Sequence, residues 1–389
     1  MKLHSSYYSI IPLAFGAFCM GVAELVIAGM LEKVSHFFSI TQQEAGYLVA
    51  IYAFGVIIGA PLLTIPLSRF DRKKQFLINI GIFGLANAVV YMSSNFYLTA
   101  FARFVAGCMH GVFFVIATLI ALQVAQKGKE TQAIAVVVSG LTLSMISGVP
   151  LGSFLGNRLG FQSVFLLVFC CAFATFFLSL FFMPKNLKSQ TTRFYDLILS
   201  CKSLPMCKAF LITACFCGSI FALYTYIEPF FLSNPYFNQD KLSWILLLYG
   251  VFGVGGNFFG GKLTDTLGSH KSLLITLGAL SLSLLLMTWS IHFPILAVCN
   301  FSSVGFWAFS CVSPLKKFAM EYATAFTPES IESSISINEA SFNIGIAIAS
   351  LIGGAVLAHI GVGFVPLTAF LIAFTPVVLL IFSKRLDTQ

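Results

Sequence analysis

Residues 161–183 read FQSVFLLVFCCAFATFFLSLFFM, a run with no charged side chain. A helix needs about 20 apolar residues to cross the hydrocarbon core of a bilayer. This run is long enough, and it is apolar on every face, as a membrane-embedded helix is. Similar stretches flank it on both sides. Cutting the chain at its charged and its Pro-, Gly- or Asn-rich breaks gives spans at 9–31, 45–68, 75–93, 97–125, 132–156, 161–183, 208–232, 242–263, 271–291, 294–318, 333–358 and 362–383. The expected fold is therefore an all-α membrane protein of twelve transmembrane helices. The first stretch holds Glu24, runs past 20 residues and is followed by many like it, so it reads as a spanning helix rather than a signal peptide.

Composition points the same way. Of the 389 residues, 58% are hydrophobic and only 9% charged. Soluble domains carry about a quarter charged residues, so most of this surface must meet hydrocarbon. The 43 Phe supply a large apolar area with no polar atom to satisfy. The formal net charge of +8 invites a nucleic-acid reading, yet the longest basic cluster is Arg69 with Arg72-Lys73-Lys74, too short for a phosphate-tracking stripe. Ten Cys are present without a CxxC, eight of them in apolar spans, so reduced packing residues are expected and no metal site.

The basic residues instead set orientation. With the N-terminus inside, eighteen of the 22 Lys and Arg fall on the cytoplasmic side, only Lys33, Arg158 and Lys241 fall outside, and Arg103 stays within a span. This asymmetry puts both termini in the cytoplasm. The one long polar segment, 184–207, separates an N-terminal six-helix bundle, 1–183, from a C-terminal one, 208–389. A shift of 197 residues lays Tyr52 on Tyr249, Gly59 on Gly256, Lys74 on Lys271 and Gly81 on Gly278, and further on Gly148 on Gly345 and Gly156 on Gly353. Two pseudo-symmetric halves of common ancestry are expected, with a site near the midplane where they meet.

The segment Gly261-Lys262-Leu263-Thr264-Asp265-Thr266-Leu267-Gly268 with Lys271 resembles the loop signature G-x-L-x-D-x-x-G-x-x-K/R of the major facilitator superfamily. The first-half copy departs from it, with Ser68 at the aspartate position and Asp71 at the second glycine. Arg103 to Gly107 is similar to the family's R-x-x-x-G, and Gly140, Gly148, Pro150, Gly152 and Gly156 resemble the glycine-proline motif of its proton-coupled exporters. Ala23-Glu24, Tyr52 with Gly59-Ala60-Pro61, Met109-His110-Gly111, Tyr226-Ile227-Glu228-Pro229 and Phe342-Asn343-Ile344-Gly345 look most like arabinose and sugar-efflux types of the drug:proton antiporter branch. That resemblance implies the major facilitator fold, proton-coupled export and transport as a monomer.

Four ionisable side chains lie deep in spans: Glu24, Arg103, His110 and Glu228. A charge in hydrocarbon costs at least about 2.5–3.5 kcal/mol, so each must face protein or water. Glu24 and Arg103 sit at similar depths on helices that line one cavity in the family, so an ion pair is expected. Glu24 is then either the coupling-proton site or one side of a fixed bridge. His110, two turns from Arg103 on the same face, is a proton relay or a neutral packing group. Glu228 precedes Pro229, which predicts a helix break there. Glu228 is then either part of a polar, aromatic lining with Tyr224 and Thr225 or an outer-mouth carboxylate in water, and Asn300 and Trp307 are further candidate cavity residues.

The glycine stripe of span 5, with Pro150, is expected to slide and seal against a helix of the other half, or else to serve ordinary close packing. Arg69, Asp71, Arg72, Asp265 and Gly268 are expected to latch the halves on the cytoplasmic face, with Glu339 facing Arg69 or Arg72. The sequence carries no P-loop, GxSxG or HExxH. No catalytic residue, cofactor or metal is expected. Partners are a small-molecule substrate, protons and the lipid bilayer. A facilitator or importer would need no acid in its cavity, and a non-transporting sensor usually adds a soluble domain.

Overall fold

The computed structural model describes residues 3–125, 130–185, 187, 201–328 and 331–382. Most of the 184–207 linker lies outside these residues, as do Lys2, Lys127, Lys129, Lys188, Arg193, Lys384 and Arg385 of the orientation argument. Among the described residues there are helices and turns but no strand. Twelve helices among the described residues are long and apolar enough to cross a membrane. We number them span 1 (Ser9–Gly29), span 2 (Gln42–Ala60), span 3 (Arg72–Met92), span 4 (Phe96–Ala121), span 5 (Val136–Leu159), span 6 (Gln162–Phe182), span 7 (Leu204–Tyr224), span 8 (Gln239–Leu267), span 9 (Ser269–Ser290), span 10 (Pro294–Phe326), span 11 (Ile337–His359) and span 12 (Val362–Ile381). The chain divides into two compact units, Met1–Phe194 and Tyr195–Gln389.

Large apolar side chains such as Leu85, Tyr97, Phe101, Phe181, Trp244 and Phe258 point outward. In lipid their exposure costs nothing, and burying them gains nothing either. The helices must therefore be held by close packing and by hydrogen bonds between them. Starts and stops follow local chemistry. Asp71, Asn95 and Asn238 each accept a hydrogen bond from the backbone N–H three residues on, capping spans 3, 4 and 8. Lys73 donates to the carbonyls of Leu180 and Met183, both at 2.7 Å, and so caps the far end of span 6.

Among the described residues, four spans are interrupted or end at a break. The α-helix of span 1 stops at Leu25 and passes into a 3-10 turn, Val26–Gly29. In span 5 a π-turn occupies Ser144–Gly148, where the Val149 N–H reaches back to Ser144 O. Pro150 explains it: proline has no N–H, its ring crowds the carbonyl four residues earlier, and an extra residue in the turn relieves both. Span 7 ends at Tyr224 and a short helix, Ile227–Leu232, follows. The break thus falls at Thr225–Tyr226, ahead of the expected position. Pro229 is tolerated within the first turn of the new helix, where a missing donor costs nothing. Span 10 is likewise two helices, Pro294–Ser310 and Val312–Phe326, parted at Cys311 just before Pro314.

Within each unit the first and fifth helices pack side by side. A Cβ on Gly140 would strike the Ala14 carbonyl, and one on Gly345 would strike the Ala214 carbonyl. Likewise Gly148 lies against Phe18 and Val22, and Gly353 against the carbonyl of Ala222. Gly140 therefore corresponds to Gly345, and Gly148 to Gly353. The 197-residue register holds for spans 2 and 8 but is wrong by eight residues for spans 5 and 11. Glycines recurring every eighth residue at 140, 148 and 156 give nearly the same match one period out of step.

A charged cluster in the first unit and its aromatic counterpart

Glu24 is the penultimate residue of the α-helix in span 1 and is half-buried. Because helical hydrogen bonding ends at Leu25, the carbonyls of the last turn lack intrahelical donors. Arg103 supplies one. Its Nη1 donates to the Ala23 carbonyl and its Nε to Leu48 O at 3.4 Å. The guanidinium lies 4.1 Å from the centroid of the Tyr52 ring and 5.8 Å from that of Phe165. The expected Glu24–Arg103 ion pair is absent: the two charges interact, but no nitrogen and oxygen of theirs lie within 4.0 Å. The energetics account for this. A desolvated cation–π contact contributes about 2 kcal/mol and each charge-assisted hydrogen bond about 1.5–3 kcal/mol. The Ala23 carbonyl at the negative end of one helix, the Leu48 carbonyl and one ring thus hold the buried cation without the carboxylate.

Tyr52 is fully buried, and its hydroxyl is 2.8 Å from His110 Nδ1. The ring of Phe114 flanks the imidazole at 5.2 Å between centroids. Glu24, Arg103 and His110 were expected together, and spans 1 and 4 do bring them together. Tyr52, the residue that touches both Arg103 and His110, stood out in the sequence only as a repeat partner and part of a resemblance. A single tyrosine in an apolar helix carries no other signal.

The second unit builds the same place from aromatic residues. Gly107 packs on the Tyr52 carbonyl and Gly305 on the Tyr249 carbonyl. Four residues before these glycines stand Arg103 and Phe301, and three residues after them His110 and Ala308. Phe301 stacks on Tyr249 at 4.9 Å, as Arg103 lies over Tyr52. Glu24 corresponds to Tyr224, whose ring is 5.5 Å from Tyr249. Charge is confined to the first unit's version.

Of the other cavity candidates, Thr225 bonds the Ser350 hydroxyl at 3.0 Å, and Tyr226 donates to Ser350 O at 2.8 Å. Both serve the packing of spans 7 and 11. Glu228 is wholly buried rather than open to water. Asn300 is a packing residue rather than a free lining group, since its amide donates to Ser283 O and Ser290 Oγ on span 9. Trp307 is half-buried, edge-on to Phe259.

The latch candidates also have local partners. Asp71 caps span 3 and lies 3.4 Å from Lys74 Nζ, while Arg72 donates to Gln75. Arg69 and Asp265 are exposed, and Gly268 adopts φ 78°, a conformation that favours glycine. Glu339, expected opposite Arg69 or Arg72, lies 3.2 Å from Lys316 Nζ of its own unit. The span 5 stripe also turns inward. Gly140, Gly148 and Gly152 face Ala14, Val22 and Val26 of span 1, and Gly156 faces Met30 just beyond it, so this surface packs on span 1. Pro150 is buried beside it.

The family model described as Major Facilitator Superfamily matches residues 13–328. The chain belongs to the major facilitator superfamily. Its similar relatives within that superfamily include the inner membrane transport protein YdhP of Escherichia coli, 30% identical over 97% of this chain and 96% of the relative. Another is the uncharacterized MFS-type transporter YtbD of Bacillus subtilis, 29% identical over 92% of this chain and 90% of the relative. The twelve spans and these relatives make the chain a multi-pass membrane transporter. A major facilitator needs no catalytic group, and no cluster of metal-ligating side chains occurs among the described residues.

Proposed function

We propose that this transporter exports a small molecule across the cytoplasmic membrane by proton-coupled alternating access, as a monomer with both termini inside. Glu24 carries the reading. It is a half-buried carboxylate in a membrane span, beside a buried arginine that already has other partners. An acid not committed to an ion pair is able to gain and lose a proton within the transport cycle. Its symmetry counterpart, Tyr224, carries no carboxylate.

The driving force is sufficient. One charge moving down about 150 mV releases roughly 3.5 kcal/mol. At about 1.4 kcal/mol per decade, that sustains a 100- to 300-fold gradient of a neutral substrate. The half-buried ring of Trp307 suits contact with a sugar-like or an amphipathic, drug-like compound.

Proteoliposomes loaded with a pH-sensitive dye test the coupling, with arabinose and tetraphenylphosphonium as probes. Movement of a probe should drive protons the opposite way. Probe flux with no accompanying proton movement would make the protein a facilitator and overturn the proposal.

A further inference from the structure

Tyr52 occupies the same structural position as Tyr249, yet its surroundings differ in charge. Each tyrosine is held through its backbone by a glycine of the neighbouring helix, and each ring is covered by the residue one turn before that glycine. In the second unit the cover is Phe301 and the next turn offers Ala308, so the tyrosine scaffold requires no charged cover. In the first unit the cover is Arg103, and His110 bonds the hydroxyl at 2.8 Å. The charged groups facing Tyr52 are Glu24 from span 1 and Arg103 from span 4, and Arg103 also faces His110. A cation over a phenol ring polarises its O–H, which strengthens the bond to the imidazole.

We propose that Tyr52 is a positioning residue of the proton-handling site, joining Arg103 and Glu24 to His110 so that a change of charge at the acid is transmitted to the imidazole. This rests on the proton-coupling reading above. When Glu24 loses its proton, the carboxylate draws on Arg103, the cation shifts on the ring, and the Tyr52 hydroxyl changes its hold on Nδ1. Nothing covalent is required, and the ring stays in place.

The test compares Y52F, Y249F, H110N and the Y52F/H110N pair in proteoliposomes across a pH series, with tetraphenylphosphonium and arabinose as probes. Y52F keeps the ring under Arg103 and removes only the hydroxyl. It should move the proton concentration at half-maximal transport by about fivefold, the worth of one buried hydrogen bond. Y249F should leave that midpoint in place, and the double variant should match H110N alone. Thermal melts of each purified variant separate misfolding from function, and a Y52F protein too unstable to assay is replaced by measuring H110N against Y249F, whose midpoints should still differ. An unshifted Y52F midpoint, or Y52F and H110N effects that simply add, overturns the role of Tyr52. Glu24→Gln with undiminished uphill transport instead overturns the underlying coupling, so the two failures are distinct.

Discussion

Arg103 rests on the Tyr52 ring, 4.1 Å from its centroid, while the nearby Glu24 carboxylate remains outside ion-pair distance. A buried cation in a membrane span would normally be matched with a buried anion. Here the end of a helix and a π-face take that part, because span 1 stops at Leu25 and leaves carbonyls to be capped. The consequence is an acid that interacts with the arginine's charge without being bonded to it.

Replacing Arg103 tests this arrangement. Lysine preserves the charge but offers a point ammonium in place of a planar fork, so it cannot lie flat on Tyr52 while reaching both Ala23 and Leu48. R103K should lose about 2–4 kcal/mol of stability, read as a lowered melting temperature of the purified protein. A variant as stable as the parent would mean that the ring and the carbonyls contribute little.

The glycines of span 5 make a second prediction. A methyl at Gly140 meets the Ala14 backbone, which cannot move aside without displacing span 1, whereas nothing lies within 4 Å of a Cβ at Gly278. G140A should therefore destabilise by about 1–3 kcal/mol through overpacking. G278A should be neutral or raise stability by up to about 1 kcal/mol, since alanine is the better helix former. Equal effects at the two positions, measured by thermal unfolding, would contradict the packing of spans 1 and 5.

The hydroxyl pair between spans 7 and 11 supplies a third. Thr225→Val keeps the shape but leaves the buried Ser350 hydroxyl without its 3.0 Å partner. The expected cost is about 1–3 kcal/mol, and Thr225→Val with Ser350→Ala should cost less than the single change. Circular-dichroism melts of both variants decide it.

The span count was legible because length and apolarity are local properties, and the bilayer imposes them on every helix alike. Glu24, Arg103 and His110 stood out for the same reason: charge is costly in hydrocarbon, so each survivor is conspicuous. What the sequence concealed was partner choice. The carbonyl of Ala23 has no signature of its own, since it becomes available only when span 1 breaks. Asn300 read as a cavity residue because an amide in a span has two explanations, and only the position of Ser283 and Ser290 separates them. The register of spans 5 and 11 was hidden by the eight-residue glycine period.

The most direct measurement is uphill transport by Glu24→Gln in proteoliposomes under an imposed pH gradient, with labelled tetraphenylphosphonium and arabinose as probes. Glutamine keeps the size and polarity of the protonated acid but cannot release a proton. The parent should accumulate a probe against its gradient, while E24Q should only equilibrate it. Accumulation by E24Q to the parental level would contradict the assignment of proton coupling to Glu24.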